Sequence, residues 1–216
     1  MAIAFDAANS GFSAGAQNTL TIAATVTGDD TIGVVLASHD GSQTMLVSGI
    51  TWNGVAMTNV NNNGNATSNS NTSLWYVINP TTGDVVITVS STRQLYGIVL
   101  SYTGANQSGQ PDASNTADDS ASPYTISTTT VADNSLVVCG IRGGNVLSAS
   151  TNVTARSEPF NSIKIGDGTQ VTAGAFSQSW TDTIDGETAI LTVSIAPVSA
   201  QATVQTNPTL LMLNVG

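Results

Sequence analysis

The sequence predicts an all-β protein, an antiparallel β-sandwich built from two duplicated halves. Residues 21–35 align with residues 125–139 at an offset of 104 residues, and residues 83–90 align with residues 186–194 with one insertion. A period this long exceeds the roughly 20–50 residues of solenoid repeats. Val, Ile and Thr also occur in short runs separated by Gly, Asn, Asp and Ser, a pattern typical of strands joined by turns.

About a dozen segments carry the strand pattern, a number typical of a sandwich or barrel. The run at 95–102 is apolar at nearly every position, which favours a central strand, whereas 125–130 alternates and is expected to have one solvated face. Asn53-Gly54 predicts a two-residue hairpin turn. In chain order the predicted strands are residues 19–27, 31–38, 49–52, 55–60, 73–78, 84–90, 95–102, 124–130, 135–142, 163–165, 169–177 and 188–195.

We expect the two halves to close into one sandwich, because each half alone supplies only about five or six predicted strands. The alternative is two small domains joined by a linker. The polar, Asn-rich stretch 61–71 is predicted to be a loop. The predicted organisation is an N-terminal arm (1–18), a sandwich (19–197) of two pseudo-repeats (19–103 and 123–197) joined by a loop (104–122), and a C-terminal tail (198–216).

The charge composition narrows the classes of partner. Four Lys and Arg stand against fourteen Asp and Glu, giving a net charge of −10, and only 8% of residues are charged. Nucleic acids and anionic membranes are bound through Lys and Arg, so neither is an expected partner. The N-terminus lacks the basic region of a signal peptide, which favours assembly in the cytoplasm.

The single cysteine and the aromatic residues are interpreted as core. Cys139 lies in an apolar run, where a small buried hydrophobe is favoured over a reactive thiol. Trp52, Trp75 and Trp180 could form a sugar-stacking platform, but adjacent strand residues such as Trp75 and Tyr76 point to opposite faces. Burial in the core is therefore the expected role of these rings.

One sequence motif resembles a hydrolase nucleophile. Residues 11–15 match Gly-x-Ser-x-Gly around Ser13, but that motif works between a strand and a helix, and no helix is predicted here. The single histidine, His39, follows soon after instead of late in the chain. We interpret the match as fortuitous and His39-Asp40-Gly41 as the end of a strand, so no catalytic residue is assigned.

Acidic residues offer two further chemistries. The segment 182–187 resembles the acidic strand of laminarinase-type glycosidases, but Asp182 stands where that motif begins with Glu, and the spacing differs. Carboxylate pairs such as Asp29-Asp30 and Asp118-Asp119 could bind Ca²⁺, although none has EF-hand spacing. We expect no enzyme activity, no metal site and no cofactor.

Apolar residues near both termini are candidates for an interface. The C-terminal stretch could be a last strand of the chain's own sheet, or it could dock on a neighbouring subunit as an added strand. The candidate interface residues are Ile3, Phe5, Leu210, Leu211, Met212 and Leu213.

Three segments together resemble a known type of module. They are Ile-Thr-Trp-Asn-Gly-Val-Ala-Met-Thr at 50–58, Ser-Leu-Trp-Tyr-Val-Ile-Asn-Pro-Thr-Thr-Gly at 73–83, and Leu-Ser-Tyr-Thr-Gly-Ala-Asn-Gln at 100–107. They look like the repeated β-sandwich modules of phage virion proteins and bacterial surface proteins. The resemblance covers roughly residues 20–195 and implies a jelly-roll-like sandwich without catalytic residues.

The resemblance implies a virion structural protein, most directly a phage capsid decoration or head-stabilising protein assembled in the host cytoplasm. Its expected partners are the major capsid protein or other virion proteins, and it is expected to form a homo-oligomer. The alternative is a carbohydrate-binding or adhesin module of a bacterial surface protein. A glycan-cleaving enzyme is a third hypothesis, which would need an acid pair in a groove.

Overall fold

The computed structural model describes residues 2–41, 44, 46–65, 70–143, 146–183 and 186–198, and within these ranges it contains strands and no helix. The predicted all-β, antiparallel fold is confirmed. The strands are β1 (Ala4–Phe12), β2 (Gln17–Ala24), β3 (Ile32–Asp40), β4 (Val47–Trp52), β5 (Val55–Ala56), β6 (Thr58–Asn65), β7 (Ser70–Ile78), β8 (Gly83–Arg93), β9 (Leu95–Thr103), β10 (Ala113–Asp119), β11 (Tyr124–Thr130), β12 (Ser135–Arg142), β13 (Leu147–Ala149), β14 (Thr154–Phe160), β15 (Ile163–Gln170), β16 (Gly174–Asp182) and β17 (Thr188–Ile195).

Each repeat folds into two sheets of its own. The first forms a five-stranded sheet, β1-β9-β3-β7-β6, and a four-stranded sheet, β2-β8-β4-β5. The second forms a five-stranded sheet, β10-β17-β12-β15-β14, and a three-stranded sheet, β11-β16-β13. The first four strands of each repeat alternate between its two sheets, so that consecutive strands there lie in different sheets.

Three apolar layers hold the four sheets in one stack. The first contains Val35 of β3 and lies between the two sheets of the first repeat. The second contains Val34 of β3 and Val138 of β12 and lies between the two five-stranded sheets. The third contains Cys139 of β12 and lies between the two sheets of the second repeat. Neighbouring side chains of a strand enter opposite layers, so the five-stranded inner sheets are covered on both faces by the four-stranded and three-stranded outer sheets and by each other.

This stack corrects the predicted organisation. The two halves do not close into a single sandwich of two sheets, because each repeat folds into two sheets of its own. Residues 1–18 are not a free arm, since β1 pairs with β9 along its length. The segment 104–122 is not only a loop, since it contains β10, which pairs with β17. Both strands lie at an edge of an inner sheet.

Several strand bounds also differ from prediction. The Asn-rich stretch 61–71 is not one loop, because β6 and β7 extend into it and pair as neighbours. The strand predicted over 169–177 spans the end of β15, a turn and the start of β16. The predicted hairpin at Asn53-Gly54 is confirmed: Trp52 pairs with Val55, and both turn residues have positive φ, as a two-residue hairpin turn requires.

The strand order tests the two alignments that define the repeat. Ile22 lies opposite Val85 in β8, and Ile126, 104 residues later, lies opposite Gln178 in β16, so the alignment of 21–35 with 125–139 is confirmed. The second alignment is wrong. Residues 83–90 belong to β8 of an outer sheet, whereas 188–194 belong to β17 of an inner sheet, whose counterpart is β9. Short Val- and Thr-rich strands look alike, so a local match does not identify the strand position.

The apolar layer between the two inner sheets, which we call the seam, brings equivalent positions together. Leu36 of β3 is fully buried, and a Cβ placed on Gly140 of β12 would lie 2.6 Å from its Cδ1. Residues 36 and 140 are 104 positions apart and therefore equivalent. Contacts between equivalent residues are those expected close to a two-fold axis, so the seam has the geometry of a dimer interface formed within one chain.

Candidate functional site

A polar cluster lies at one end of the seam and joins the two repeats through Arg142. The Arg142 side chain is 8% exposed, its Nη1 donates to Ser38 Oγ at 3.0 Å, and its Nη2 pairs with Asp40. Its guanidinium lies 5.2 Å from the ring centroid of Tyr96, whose hydroxyl donates to Asp40. Burial, reinforced by the Asp40 carboxylate, raises the pKa of Tyr96. Ser38 and Arg142 are again 104 positions apart, as expected near the pseudo-two-fold axis.

His39 lies beside this cluster and is fully buried. Its Nε2 accepts a hydrogen bond from the Leu46 backbone N–H at 3.0 Å, which requires an unprotonated Nε2. Burial lowers the pKa of His39, and the positive charges of Arg93 and Arg142 lower it further against an opposing contribution from Asp40. The imidazole is therefore held neutral and anchors the chain that follows β3.

The residues of the hydrolase-like motif also have structural partners. Ser13 Oγ donates to the Gly15 carbonyl at 2.7 Å and accepts from the Leu95 backbone N–H at 2.9 Å. Ser13 thereby closes the turn from β1 to β2, where the motif would require a helix. His39-Asp40 ends β3 and Gly41 has a φ of +76°, so the predicted strand end and turn are confirmed.

A second cross-link between the repeats centres on Asp167 of β15. This buried carboxylate accepts from Tyr102 Oη at 2.9 Å and from Arg156 Nε and Nη2 at 2.7 and 2.9 Å. Hydrogen bonding to Asp167 raises the pKa of Arg156, and burial raises the pKa of Tyr102 well above its ordinary value. The Arg156 guanidinium also lies 4.7 Å from the Phe5 ring centroid. Both charges are thus matched, as a buried ion pair requires.

Each repeat contains the same aspartate anchor at the start of its first inner strand. Asp6 accepts from the Thr27 backbone N–H at 3.1 Å, from the Thr27 hydroxyl, and from Ser101 Oγ at 2.8 Å. Burial alone would raise the pKa of Asp6, but these hydrogen bonds lower it below its ordinary value. Asp112 accepts from the Val131 backbone N–H at 2.9 Å and from Ser194 Oγ at 3.1 Å.

Pairing registers show that these two anchors are equivalent. Ala7 pairs with Ser101 in the first repeat and Ala113 pairs with Ser194 in the second. The anchors were missed by sequence reasoning, although a signal existed: residues 6–10 read Asp-Ala-Ala-Asn-Ser and residues 112–116 read Asp-Ala-Ser-Asn-Thr. The motif lies in segments that were assigned to an arm and a loop.

The predicted interface residues divide between described and undescribed parts of the chain. Ile3 is half-buried against the seam core, and Phe5 forms an edge-to-face contact with Tyr102 at 6.0 Å between centroids. Leu210, Leu211, Met212 and Leu213 lie outside the described residues. A role for any of these six residues in contacts with another subunit stays a prediction.

The core interpretation of the cysteine and the tryptophans is confirmed. Cys139 is fully buried beside Trp180 Nε1, and burial raises the pKa of its thiol to about 12. Trp52 and Trp180 are fully buried, and Trp75 is 8% exposed. Trp52 covers Gly33, where any Cβ would collide with the indole ring. These rings therefore fill the layers within each repeat.

The acidic segments remain separate in the described part of the chain. Within the described ranges, no group of three or more His, Cys, Asp or Glu residues lies close enough to hold a metal ion. Asp119 accepts hydrogen bonds from the backbone N–H groups of Ser120 and Ala121, so it closes a turn. Asp185, part of the proposed acidic strand, lies outside the described residues.

Each repeat carries a surface cleft at an equivalent place. The first, of about 290 Å³, lies between β5, the start of β6, the end of β7 and residues 107–110. The second, of about 320 Å³, lies between residues 150–154, the end of β15 and β16. Thr58 and Thr154 begin the equivalent edge strands, and Ile78 and Thr169 pair with the equivalent residues Ile32 and Leu136. The sequence did not reveal the clefts, because their walls come from strands distant along the chain.

Comparison with known proteins adds no family to this geometry: no protein-family model, no curated protein and no solved structure matches the chain. Among the described residues there is no helix long and apolar enough to cross a membrane.

Proposed function

We propose that this chain is a virion structural protein, specifically a phage capsid decoration or head-stabilising protein that docks on the major capsid protein or on other virion proteins. The observation that carries the proposal is the internal use of four buried or half-buried charges. Arg142 and Asp167 tie the repeats together across the seam, while Asp6 and Asp112 hold the strands within each repeat. Because these charged side chains bind to other parts of the same chain, they stiffen the fold, as a structural protein requires.

The solvent-facing sides of the outer sheets support docking. Exposed positions of β2 and β11 include Thr21 and its equivalent Thr125, and further exposed hydroxyls come from Ser127 and Ser177. Small uncharged side chains can be covered by a partner without the cost of burying a charge. Two such faces on opposite ends of one stack suit contacts in a lattice.

Docking of this kind gains strength from repetition. A single weak contact is multiplied when many copies sit on one particle, or when the chain forms a homo-oligomer before it binds. Assembly in the host cytoplasm and contacts through Ile3, Phe5 or residues 210–213 belong to the same proposal. They are independent of which outer face is used.

The proposal is tested first by counting copies. Quantitative mass spectrometry of purified particles from the source should detect this chain in a high, fixed ratio to the major shell protein. A few copies per particle would instead indicate a tail or fibre component. Complete absence would overturn the virion proposal and leave the carbohydrate-binding or adhesin module as the better hypothesis.

Matched variants then locate the docking surface. Thr21→Lys and Thr125→Lys place the same charge at equivalent positions on the two outer faces, and each should leave the fold intact because both residues are exposed. In co-sedimentation with particles that lack the protein, the variant on the docking face should bind more weakly. Unchanged binding of both variants, with binding lost on truncation after Val198, would assign docking to the tail.

A further inference from the structure

The cleft of the second repeat presents hydroxyl groups that the fold does not use. Ser150, Thr154 and Thr169 line it and are solvent-exposed. Within the described part of the chain, none of these three side chains makes a hydrogen bond to protein. Their position in one concavity contrasts with Ser38, Ser101 and Ser194, whose hydroxyls hold strands together.

The loop that carries one wall of this cleft is fixed by hydrogen bonds from β16. The Ser150 backbone N–H donates to the Ser179 carbonyl at 3.1 Å, and the Thr151 N–H donates to Ser179 Oγ at 3.1 Å. Asn152, with a φ of +55°, donates from Nδ2 to the Ser177 carbonyl at 2.8 Å. A ligand that binds here does not have to order the loop, which reduces the entropic cost of binding.

An aromatic ring forms part of the cleft wall, and a glycine makes room for it. Phe176 lines the cleft with 8% of its surface exposed. A Cβ placed on Gly168 would lie 2.9 Å from Phe176 Cζ and would collide with the Asn152 carbonyl. The ring therefore packs closely against bare backbone and leaves only a small apolar patch exposed beside the three hydroxyls.

The chemistry of the lining selects the class of ligand. None of the residues that line this cleft is charged, so an ionic ligand would lose hydration without gaining a counter-charge. Uncommitted hydroxyls around a small apolar patch match a ligand that carries many O–H groups and some C–H surface. A volume of about 320 Å³ is at the small end for ligand pockets, which run from about 300 to 1,000 Å³.

We propose that this cleft binds a neutral sugar residue, with Ser150, Thr154 and Thr169 hydrogen-bonded to its hydroxyls and the small exposed part of Phe176 in contact with its C–H groups. This proposal is independent of the virion role, because every residue of the cleft belongs to this chain and binding can be measured on the isolated protein. The equivalent cleft of the first repeat has Ile78 in place of Thr169 and is lined by Val55 and Tyr76. It keeps Thr58 at the position of Thr154, but its other hydroxyls, those of Ser108 and Tyr76, donate to Asn106 and Gln110, so it is not expected to bind the same ligand.

The test is a titration of the ¹⁵N-labelled full-length chain with three neutral probes: methyl β-D-glucopyranoside, methyl α-D-mannopyranoside and N-acetylglucosamine. At least one should cause saturable amide shifts confined to residues 150–154, 168–169 and 176. Dissociation constants in the millimolar range are expected, because only a few hydrogen bonds are available. Glycerol at equal concentration serves as the control for nonspecific solvation.

Variants decide whether the cleft hydroxyls are responsible. Combined Thr154→Val and Thr169→Val should weaken binding by roughly tenfold, whereas Thr58→Val, at the equivalent position of the first cleft, should leave it unchanged. Thermal unfolding would verify that all variants fold. The proposal is overturned if no probe gives saturable shifts in this cleft, if glycerol gives the same shifts, or if the double variant binds as tightly as the parent.

Discussion

The two repeats share a strand order but differ in the side chains at equivalent positions. Leu36 in the first repeat corresponds to Gly140 in the second, Ser38 corresponds to Arg142, and both pairs are in contact across the seam. Two identical leucines or two identical arginines could not occupy the same space beside the axis. The difference therefore shows that the contacts nearest the axis became complementary, large against small and cation against acceptor.

Away from the axis, the two repeats share an equivalent set of hydrogen bonds. The aspartate anchors, Asp6 and Asp112, retain the same backbone and serine partners although the strands around them differ in sequence. These anchors join strands within a repeat, so they are needed whether or not a partner repeat is present. Four measurements would sharpen or break this comparison.

The largest effect is expected at the centre of the seam. Leu36→Ala should destabilise the protein by about 2–5 kcal/mol, because it opens a cavity in a fully buried layer. Urea unfolding monitored by tryptophan fluorescence gives the change in free energy. Exchanging the pair, as Leu36→Gly with Gly140→Leu, should be less destabilising than the sum of the two single variants. Simple additivity would contradict the proposed contact between equivalent positions.

The anchors should differ in strength by repeat. Asp112 also accepts from Ser135 Oγ and the Ala132 N–H, so Asp112→Ala should cost about 2–3 kcal/mol and Asp6→Ala about 1–2 kcal/mol. Because the pKa of Asp6 is lowered, its contribution is present above about pH 4 and is lost as the pH falls through its folded pKa. Stability curves of the parent and Asp6→Ala should therefore converge in acid; parallel curves would argue against the anchor.

A smaller effect on stability is expected near neutral pH, and it concerns the first repeat alone. His39 is the single histidine, and the equivalent residue of the second repeat, at position 143, is Gly. The folded pKa of His39 is lowered, so the unfolded chain binds the proton more readily. The contribution of His39 to stability should be fully present above about pH 6.5 and should be lost as the pH falls through its folded pKa. Between pH 7 and pH 5, the melting temperature of His39→Gln should therefore depend less on pH than that of the parent. Equal dependence would exclude His39 as the cause.

The smallest effect is expected within the second repeat. Cys139 corresponds to Val35, so Cys139→Val copies the first repeat and should cost less than about 1.5 kcal/mol. The native thiol, with its pKa raised to about 12 and no exposed surface, should not react with Ellman's reagent until the protein unfolds. Rapid reaction of the folded protein would show that the third layer opens.

In the inner sheets, the central strands were easier to predict from the sequence than most of the edge strands. The central strands β9, β12 and β17 are covered on both faces, so their apolar runs are continuous and were located closely. Three edge strands of the inner sheets, β1, β10 and β14, were missed, because their exposed positions carry Asn, Ser, Asp and Glu and resemble loops. The edge strand β11 of an outer sheet was located, because its residues alternate between buried and exposed. Edge position is a property of the assembled sheet, which a local pattern does not contain.

The site was less predictable than the fold. Ser13 and His39 attracted attention as residue types, yet each is explained by a backbone partner far away or across a turn. Arg142 and Asp167 carried no motif, because the partners of Arg142 and the Tyr102 partner of Asp167 belong to the other repeat. The clefts combine a turn, an edge strand and a strand end, and only their meeting in space makes a concavity.

The sequence by itself determined that the protein is all-β, that it contains an internal duplication, and that the run at 95–102 is a central strand. These properties are local, since they follow from β-branched runs, turn residues and their recurrence. Only the tertiary structure decided that each repeat closes into its own pair of sheets and that the repeats stack through a seam. An apolar face has to be covered, but the pattern on one strand does not specify which distant strand covers it.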